Sequence, residues 1–367
     1  KLFNYTKKEN KNSLLNIEGS YEKNQNIYFK NILLKEFENN FKISGLSLSQ
    51  NYKINYIEEA NFDFLNDSKK KNKILLKRNK KNYELSGKIF DGTNLVNEIL
   101  ESDNGGNVFN FLNDFNSVVK ISLNKIFIDE TNHLNNLNGN LKFNKSSLKN
   151  LDLKANFSDN KNLTFTVKTD QNNQKITTLF SEYAKPLVKK YKFIKGFEEG
   201  YLDFYSVKKN NISSSNLKIN DFKLNELPAL TKILTLASLQ GIADLLTGEG
   251  IRFNEFEMKF RNEKKLMTID EIYAIGPAIS IMMDGYVQKD ELISLRGTLV
   301  PATTLNKIIG SLPLLGDILV GKKTGEGVFG VSFKIKGPPK KTKTTVNPIK
   351  TLTPRFITRT LEKIKKN

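Results

Sequence analysis

The sequence predicts a mostly β protein built on a long antiparallel sheet, with a few helices inserted between the strands. Short runs in which apolar and polar residues alternate cover most of the chain, and this period-2 pattern is typical of strands with one apolar face. Clusters of Asn, Asp, Lys and Gly separate the runs, as expected of turns. The first strands are predicted around Ile27–Phe29, Ile43–Leu48, Tyr52–Tyr56, Phe62–Phe64, Ile74–Leu76, Tyr83–Ile89, Leu141–Phe143, Leu151–Leu153, Leu163–Val167 and Tyr201–Tyr205.

The composition changes near residue 225, because 41 of the 46 Asn residues lie before residue 226. We therefore divide the chain into a repetitive β region with inserted helices (1–225), a second region of strands and helices (226–337) and a basic tail (338–367). Pro338 and Pro339 mark the last boundary, since a Pro pair continues neither a strand ladder nor a helix. Strands of the second region are predicted around Phe256–Phe260, Met267–Ile269, Ile281–Val287, Ile293–Leu299 and Phe329–Ile335.

Four segments interrupt the strand pattern with apolar residues three or four positions apart, the spacing of an amphipathic helix. Gly residues shortly after three of them fit helix C-termini. The most apolar segments contain charged residues, such as Lys232 and Asp317, so we expect none of them to span a membrane. The predicted helical segments are Leu95–Phe115, Thr178–Phe193, Leu227–Leu246 and Thr303–Val320.

The side chains used most often in catalysis and metal binding are nearly absent. The chain has no Cys and one His, which excludes thiolate nucleophiles, Cys-ligated metals and paired imidazoles. His133 lies in a polar stretch and is expected to be a solvated loop residue. Neighbouring carboxylates such as Glu198 and Glu199 would point to opposite faces of a strand and not converge on a substrate. We therefore expect a protein that is not an enzyme and that has no cofactor and no metal site.

The net charge of +19 is concentrated at the C-terminal end. Residues 334–367 contain eleven Lys and Arg against one acidic residue. Apolar residues between them make this tail amphipathic, which favours contact with an anionic membrane surface, although a solvated helix docked on its own domain is the alternative. The tail has one aromatic residue, which argues against nucleic acid as a partner. The residues expected to contact the membrane are Lys350, Arg355, Phe356, Arg359 and Lys363.

A series of short motifs follows in one order between about residues 216 and 360. Each is weak alone, because words rich in Gly, Pro and Leu recur by chance, but their order and spacing together are specific. They are Leu227–Gly241 with Leu245–Ile251, Gly276–Ala278, Gly297–Pro301 with Leu305-Asn306, Leu312–Gly316, Gly327–Gly330, Gly337-Pro338, Val346–Pro348 and Thr353–Phe356. In this order they resemble the C-terminal region of the AsmA-like family of bacterial envelope proteins, in particular its long YhdP-type branch.

The chain departs from the family pattern in two places. Glu199-Gly200 stands where the family usually has Gly-Gly, and Pro339–Lys341 stands where an acidic Asp-Pro step is usual. Residues 1–170 are similar to the family in style only. The second departure affects the charge of the tail and not the fold.

The resemblance implies a periplasmic protein of a Gram-negative bacterium, anchored in the inner membrane through a segment upstream of Lys1. It implies that the sheet curls into an open groove, a half-pipe with an apolar floor, which the segments 227–246 and 303–320 cap. Phospholipids would move through this groove between the two membranes and so maintain the outer-membrane barrier; the membrane surface and other envelope proteins are the further partners. The residues expected to line the floor are Phe256, Met258, Phe260, Ile281, Met283, Ile293, Leu295, Phe329, Val331 and Phe333.

Two alternatives stay open at this point. The same alternation fits a closed sandwich or barrel in which the floor residues pack on one another. An envelope assembly factor, in contrast, would act through an exposed strand edge that pairs with outer-membrane proteins, and not through an apolar face.

Overall fold

The computed structural model describes residues 3–9, 11–22, 25–96, 109–157, 160–188, 195–237, 239, 243–244, 248–301, 330–339 and 341–349. The chain forms two compact units, Lys1–Phe180 (unit 1) and Ser181–Asn367 (unit 2). The division between them lies upstream of the change in composition near residue 225.

Strands dominate both units. Unit 1 contains β1 (Leu14–Ser20), β2 (Ile27–Glu36), β3 (Asn39–Leu48), β4 (Ile54–Leu65), β5 (Lys71–Asn79), β6 (Asn82–Asp91), β7 (Val118–Phe127), β8 (His133–Asn144), β9 (Ser147–Asn156), β10 (Asn162–Thr169) and β11 (Lys175–Ser181), which ends at the division. Unit 2 contains helix α1 (Lys185–Val188), β12 (Lys195–Lys209), β13 (Ile212–Glu226), helix α2 (Pro228–Leu236), β14 (Ile251–Glu263), β15 (Leu266–Ile275), β16 (Ile279–Gln288), β17 (Leu292–Pro301), β18 (Gly330–Gly337) and β19 (Lys343–Ile349).

The polar clusters of the sequence form the turns between these strands. Lys80, Asn210 and Lys264 occupy tight hairpin turns with φ angles of 56°, 54° and 53°. Such left-handed conformations give two-residue turns the twist that antiparallel strands require. The predicted link between polar clusters and hairpins is therefore confirmed.

The strands pair in chain order. Within unit 1, β1 to β6 are antiparallel and so are β7 to β10; within unit 2, β12 to β19 are antiparallel. The exception is β6 with β7, which are parallel, and a parallel pair needs a crossover connection. All nineteen strands belong to one sheet that is not closed. The predicted fold class, mostly β with a long open sheet and few helices, is confirmed.

Within the described residues, the predicted helical segments are helical only in part. Strand β11 occupies the first part of the segment Thr178–Phe193, and α1 covers only Lys185–Val188. The β-branched run Ile176–Thr178 favours a strand, and Pro186 fits the first turn of a helix. In the segment 95–115, the described residues are helical only at 95–96, as part of a turn spanning 93–96, and residues 109–115 form turns and bends.

The remaining helix predictions are only partly covered by the structure. Helix α2 confirms the first half of the segment 227–246. The segment 303–320 lies outside the described residues, as do Phe329 and the five tail residues expected to contact a membrane. Across the described ranges, no helix is both long enough and apolar enough to cross a bilayer.

His133 is not a solvated loop residue. It is the first residue of β8, pairs with Phe127 across the hairpin and is half-buried, with the two ring centroids 5.9 Å apart. Burial, with the nearby charge of Lys125, lowers the pKa of its imidazole. Among the described residues, no group of three or more His, Asp or Glu side chains is placed to hold a metal ion.

Candidate functional site: an apolar sheet face

One face of the unit 2 sheet carries apolar side chains in rows that cross the strands. Directly paired residues on neighbouring strands point to the same face, so the strand register shows which side chains are neighbours. We call these three rows the unit 2 apolar face: first Leu202, Ile219, Phe256, Ala274, Ile281, Leu299 and Val331; second Phe204, Leu217, Met258, Ile272, Met283, Gly297, Phe333 and Val346; third Phe260, Ile269, Gly285, Leu295 and Ile335.

A bulge in β15 keeps the rows aligned. Ile269 pairs with Phe260, and Ile272 pairs with Met258. The two Ile residues are three positions apart in β15, whereas their partners are two positions apart in β14. The extra residue in β15 restores the alternation, so both Ile side chains reach the apolar face and both are buried. Asp270, within the bulge, forms an ion pair with Arg261 at 2.8 Å.

The structure brings the predicted floor residues of unit 2 together. Those that belong to the three rows are Phe256, Met258, Phe260, Ile281, Met283, Leu295, Val331 and Phe333, and Ile293, two residues before Leu295 on β17, lies on the same side of the sheet. The sequence-based prediction missed the neighbours that β12, β13 and β15 contribute. The alternation of Leu217 and Ile219 was a usable signal, whereas the bulge hides the period-2 pattern around Ile269 and Ile272.

Exposure along the face is graded. Leu299 and Val331 are fully buried, whereas Phe256, Met258 and Met283 are only half-buried. A closed sandwich would bury the centre of each inner face. Substantial backbone contacts in the described part of unit 2 join sheet neighbours, α1 with β12, and α2 with β19. Phe256, Met258 and Met283 are thus partly accessible to a ligand, whereas Ile272, Ile281 and Phe333 beside them are buried.

The opposite face of the same strands carries most of the charge. Asp284 and Arg296, a directly paired couple, form an ion pair at 2.8 Å, and hydrogen bonding to Asp270 raises the pKa of the Arg261 guanidinium. Exposed pairs of this kind add little stability, but they keep one side of the sheet polar. Buried residues also lie on this side: Glu257, Tyr273 and Met282 form one row, and Ser280 and Val300 pair beside it.

Unit 1 repeats the arrangement. Two rows cross its strands in continuous register, and we call them the unit 1 apolar face: Ile17, Ile32, Ile43, Ala60, Leu76, Leu85, Ile121, Gly139, Leu153 and Phe165; then Leu15, Leu34, Phe41, Phe62, Ile74, Gly87, Leu123 and Leu137. The rows run at right angles to the strands and continue through the parallel pair β6 and β7.

The N-terminal segment covers one end of the unit 1 apolar face. Phe3 packs edge-to-face on Phe62, with the ring centroids 5.2 Å apart, and Tyr5 packs on Phe41 at 4.6 Å. The Tyr5 hydroxyl donates a hydrogen bond to the Glu36 carboxylate. Burial and this hydrogen bond raise the pKa of Tyr5 to about 12, so the hydroxyl remains a donor at neutral pH.

The crossover between β6 and β7 covers the other end. Phe109 and Phe115 lie against Phe143, with ring centroids 4.9 Å and 5.3 Å apart, and Tyr83 completes this cluster. Between the two covered ends, Ile32, Ile43, Leu76 and Leu85 are half-buried, whereas Ala60 and Ile121 in the same row are buried. The unit 1 apolar face is therefore a lane that crosses the strands and is bounded at both strand ends.

The comparisons with known proteins add no family to these observations. No family model, no curated protein and no solved structure matches the chain.

Proposed function

We propose that the apolar faces hold the acyl chains of phospholipids and that the protein moves these lipids between the inner and outer membranes of a bacterial envelope, which supports the outer-membrane barrier. The observation that carries the proposal is the unbroken register of apolar rows, in which some side chains are only half-buried, across β1 to β10 and across β12 to β19. A sheet face of this size needs a covering layer, and acyl chains supply one.

The energetics of exchange fit this proposal. Each CH₂ removed from water gains about 0.8 kcal/mol, so a lipid with two chains of about 16 carbons gains some 20 kcal/mol in gross terms. The interior of a bilayer offers the same gain. A lipid that slides from a bilayer onto an apolar lane therefore changes its free energy little, and such transfer requires no catalytic residues. We propose accordingly that the protein is not an enzyme.

The resemblance described above supplies the proposed setting: the periplasm of a Gram-negative bacterium, with an inner-membrane anchor upstream of the chain. The membrane surface and other envelope proteins are the proposed partners besides phospholipid. The basic tail, with Lys350, Arg355 and Phe356 among its residues, is proposed to contact anionic head groups.

Lipid extraction tests the proposal directly. The chain is purified from a Gram-negative host, its fold is checked by circular dichroism, and bound lipid is extracted and counted by mass spectrometry. We expect phospholipid in at least equimolar amount, and transfer of a fluorescent phospholipid from donor to acceptor vesicles. A folded sample without phospholipid contradicts the proposal.

One observation favours the second candidate function, strand-edge pairing with outer-membrane proteins. In the described part of the chain β1 pairs only with β2, and its Leu14, Leu15 and Ile17 side chains are 58 %, 58 % and 52 % exposed. Exposed edges with apolar side chains are templates for an added strand.

Proline substitutions in β1 separate the two functions. Neighbouring residues of a strand point their N–H groups to opposite sides, so one of Asn16→Pro and Ile17→Pro removes only an outward donor. If the edge carries the function, that variant loses binding to unfolded outer-membrane protein and keeps its lipid. If the apolar face carries it, the same variant still transfers phospholipid.

A further inference from the structure

A cleft of about 450 Å³ in unit 1 has an unusual combination of walls. It lies where residues 109–114, in the connection between β6 and β7, contact the hairpin between β8 and β9. Three lysines line it: Lys53 from the turn before β4, Lys145 from that hairpin, and Lys175 at the start of β11. One carboxylate, Asp114, lines the same cleft. The cleft is therefore cationic at neutral pH.

The apolar wall of the cleft is continuous with the unit 1 apolar face. Phe109, Leu112 and Leu148 line the cleft and also pack against the cluster of Tyr83, Phe115 and Phe143. The same cluster contacts Leu76, which belongs to the first row of that face. A molecule with one apolar and one anionic part would therefore meet matching surfaces side by side.

Hydrogen bonds hold residues 111–115 in place, so this wall of the cleft is formed before any ligand arrives. The Ile54 N–H donates to the Phe111 carbonyl and the Asn113 N–H donates to the Ile54 carbonyl, both at 2.8 Å. The Phe115 N–H donates to the Ser146 hydroxyl at 2.9 Å. A wall fixed in this way costs little ordering free energy on binding.

Two of the three lysines are available to an anion. Lys53 and Lys145 are exposed, and neither forms an ion pair within the described residues. Elsewhere in unit 1, some exposed lysines pair with cross-strand carboxylates, as Lys30 does with Glu18 at 2.8 Å. The cleft thus holds two exposed ammonium groups, those of Lys53 and Lys145, without an ion pair to a carboxylate of the described residues.

We propose that this cleft binds the phosphate-bearing head group of an anionic phospholipid whose acyl chains lie on the unit 1 apolar face. The inference rests on the proposed function and adds a chemical preference to it. Ammonium groups attract phosphate as point charges and tolerate a hydrated partner, which suits a head group at the rim of an apolar lane. The site favours a net negative head group over a zwitterionic one.

The test uses the delipidated full chain and two kinds of vesicle, phosphatidylglycerol and phosphatidylcholine. The double variant Lys53→Ala/Lys145→Ala is compared with Lys88→Ala/Lys120→Ala, which removes two exposed lysines from the opposite face of the unit 1 strands and leaves the same net charge. We expect the first variant to bind phosphatidylglycerol about thirtyfold more weakly, since each lysine near an anionic lipid contributes roughly a factor of five. Phosphatidylcholine binding and the control variant should not change, and high salt should reduce the difference.

Further measurements show whether the preference for phosphatidylglycerol comes from the lysine charges and from the lipid head group. Lys53→Arg/Lys145→Arg should retain the preference, because the charges remain. If inorganic phosphate displaces phosphatidylglycerol at equal concentration, the cleft binds free anions and the head-group assignment is overturned. Equal losses of binding in the two double-alanine variants would also overturn the head-group assignment. A wild-type chain that binds both lipids equally overturns this inference and leaves the proposed function intact, whereas a wild-type chain that binds neither overturns both.

Discussion

Met258 of β14 and Met283 of β16 lie on the same face of the sheet, because Ile272 of β15 pairs with both of them. The two Met side chains are half-buried and Ile272 is buried. The row therefore has positions that a ligand can reach and positions that hold the sheet together. Function and stability can be tested separately along one line of residues.

A charge at Met283 should stop lipid binding without unfolding the protein. The ammonium group of Met283→Lys would have to be desolvated beneath acyl chains, whereas in the lipid-free protein the long side chain can turn its charge to water. We expect at least a tenfold loss of bound phospholipid and a change of less than about 1 kcal/mol in the free energy of unfolding. Lipid extraction and urea unfolding measure the two quantities.

Tyr286→Lys is the matched control, because Tyr286 is an exposed residue of the same strand on the opposite face. It should bind lipid like the wild type. Equal losses in both variants would show that charge on β16, and not the apolar face, governs binding.

Three stacked rings make the end of unit 2 sensitive to truncation. Phe222 lies between Phe197 and Phe253, with ring centroids 5.2 Å and 5.4 Å apart and planes within 14° and 12° of parallel, and all three residues are buried. Phe222→Ala removes the middle ring, so we expect a loss of about 3–5 kcal/mol in unfolding free energy. Urea unfolding followed by circular dichroism measures it, and the exposed Tyr205→Ala should cost less than about 1 kcal/mol.

The alternating sequence pattern predicted most of the strands and the face on which their apolar side chains lie, but not β1, β7, β11, β13 and β19. It could not decide between an open sheet and a closed sandwich, because Phe256 and Met258 alternate with polar residues in either case. That choice depends on what covers the face, which is a property of distant parts of the chain. In the structure the strand pairing shows a sheet that is not closed.

The parts of the predicted helices 95–115 and 178–193 that the structure shows not to be helical have a common physical origin. Phe109, Leu112 and Phe115 are three positions apart, as on a helix. In the structure they lie in non-helical backbone, and all three side chains pack against the end of the unit 1 apolar face. In the same way Leu179 and Tyr183 follow helical spacing, whereas β11 continues to Ser181. The spacing of apolar residues thus indicates which side chains are buried, but it does not determine the backbone conformation of the segment. The parallel pairing of β6 with β7 depends on this crossover and has no local signal.

Gly285 should not tolerate a side chain. It lies in the third row of the unit 2 apolar face with φ at 147°, and an added Cβ would collide with the Ser294 carbonyl oxygen on the paired strand. A backbone atom of a central strand cannot move aside without breaking ladder hydrogen bonds. We expect Gly285→Ala to lower the unfolding free energy by more than about 1 kcal/mol. Ser294→Ala, which leaves that carbonyl in place, should have a smaller effect in the same urea titration.

The turn between β7 and β8 should give unit 1 a specific acid sensitivity. The Asp129 carboxylate accepts the N–H groups of Thr131 and Asn132 at 2.8 Å and 2.7 Å, and the Asn132 side-chain amide at 2.8 Å. Burial tends to raise the pKa of Asp129, but the hydrogen bonds from Asn132 and Thr131 outweigh it and leave the pKa below its usual value.

The sign of the effect follows from this lowered pKa. Near and below the ordinary Asp pKa of about 3.9 the unfolded chain binds a proton that the folded turn still excludes. The contribution of Asp129 is therefore complete above that pH and is lost as the pH falls through the folded pKa. With allowance for solvent screening, Asp129→Asn should cost about 1 kcal/mol at pH 7 and progressively less below about pH 4. Urea unfolding at several pH values measures this, with Asp152→Asn on the exposed side of β9 as the control for a lost charge. A difference between wild type and Asp129→Asn that stays constant from pH 7 to pH 3 would show that the turn is held by geometry and not by the charge.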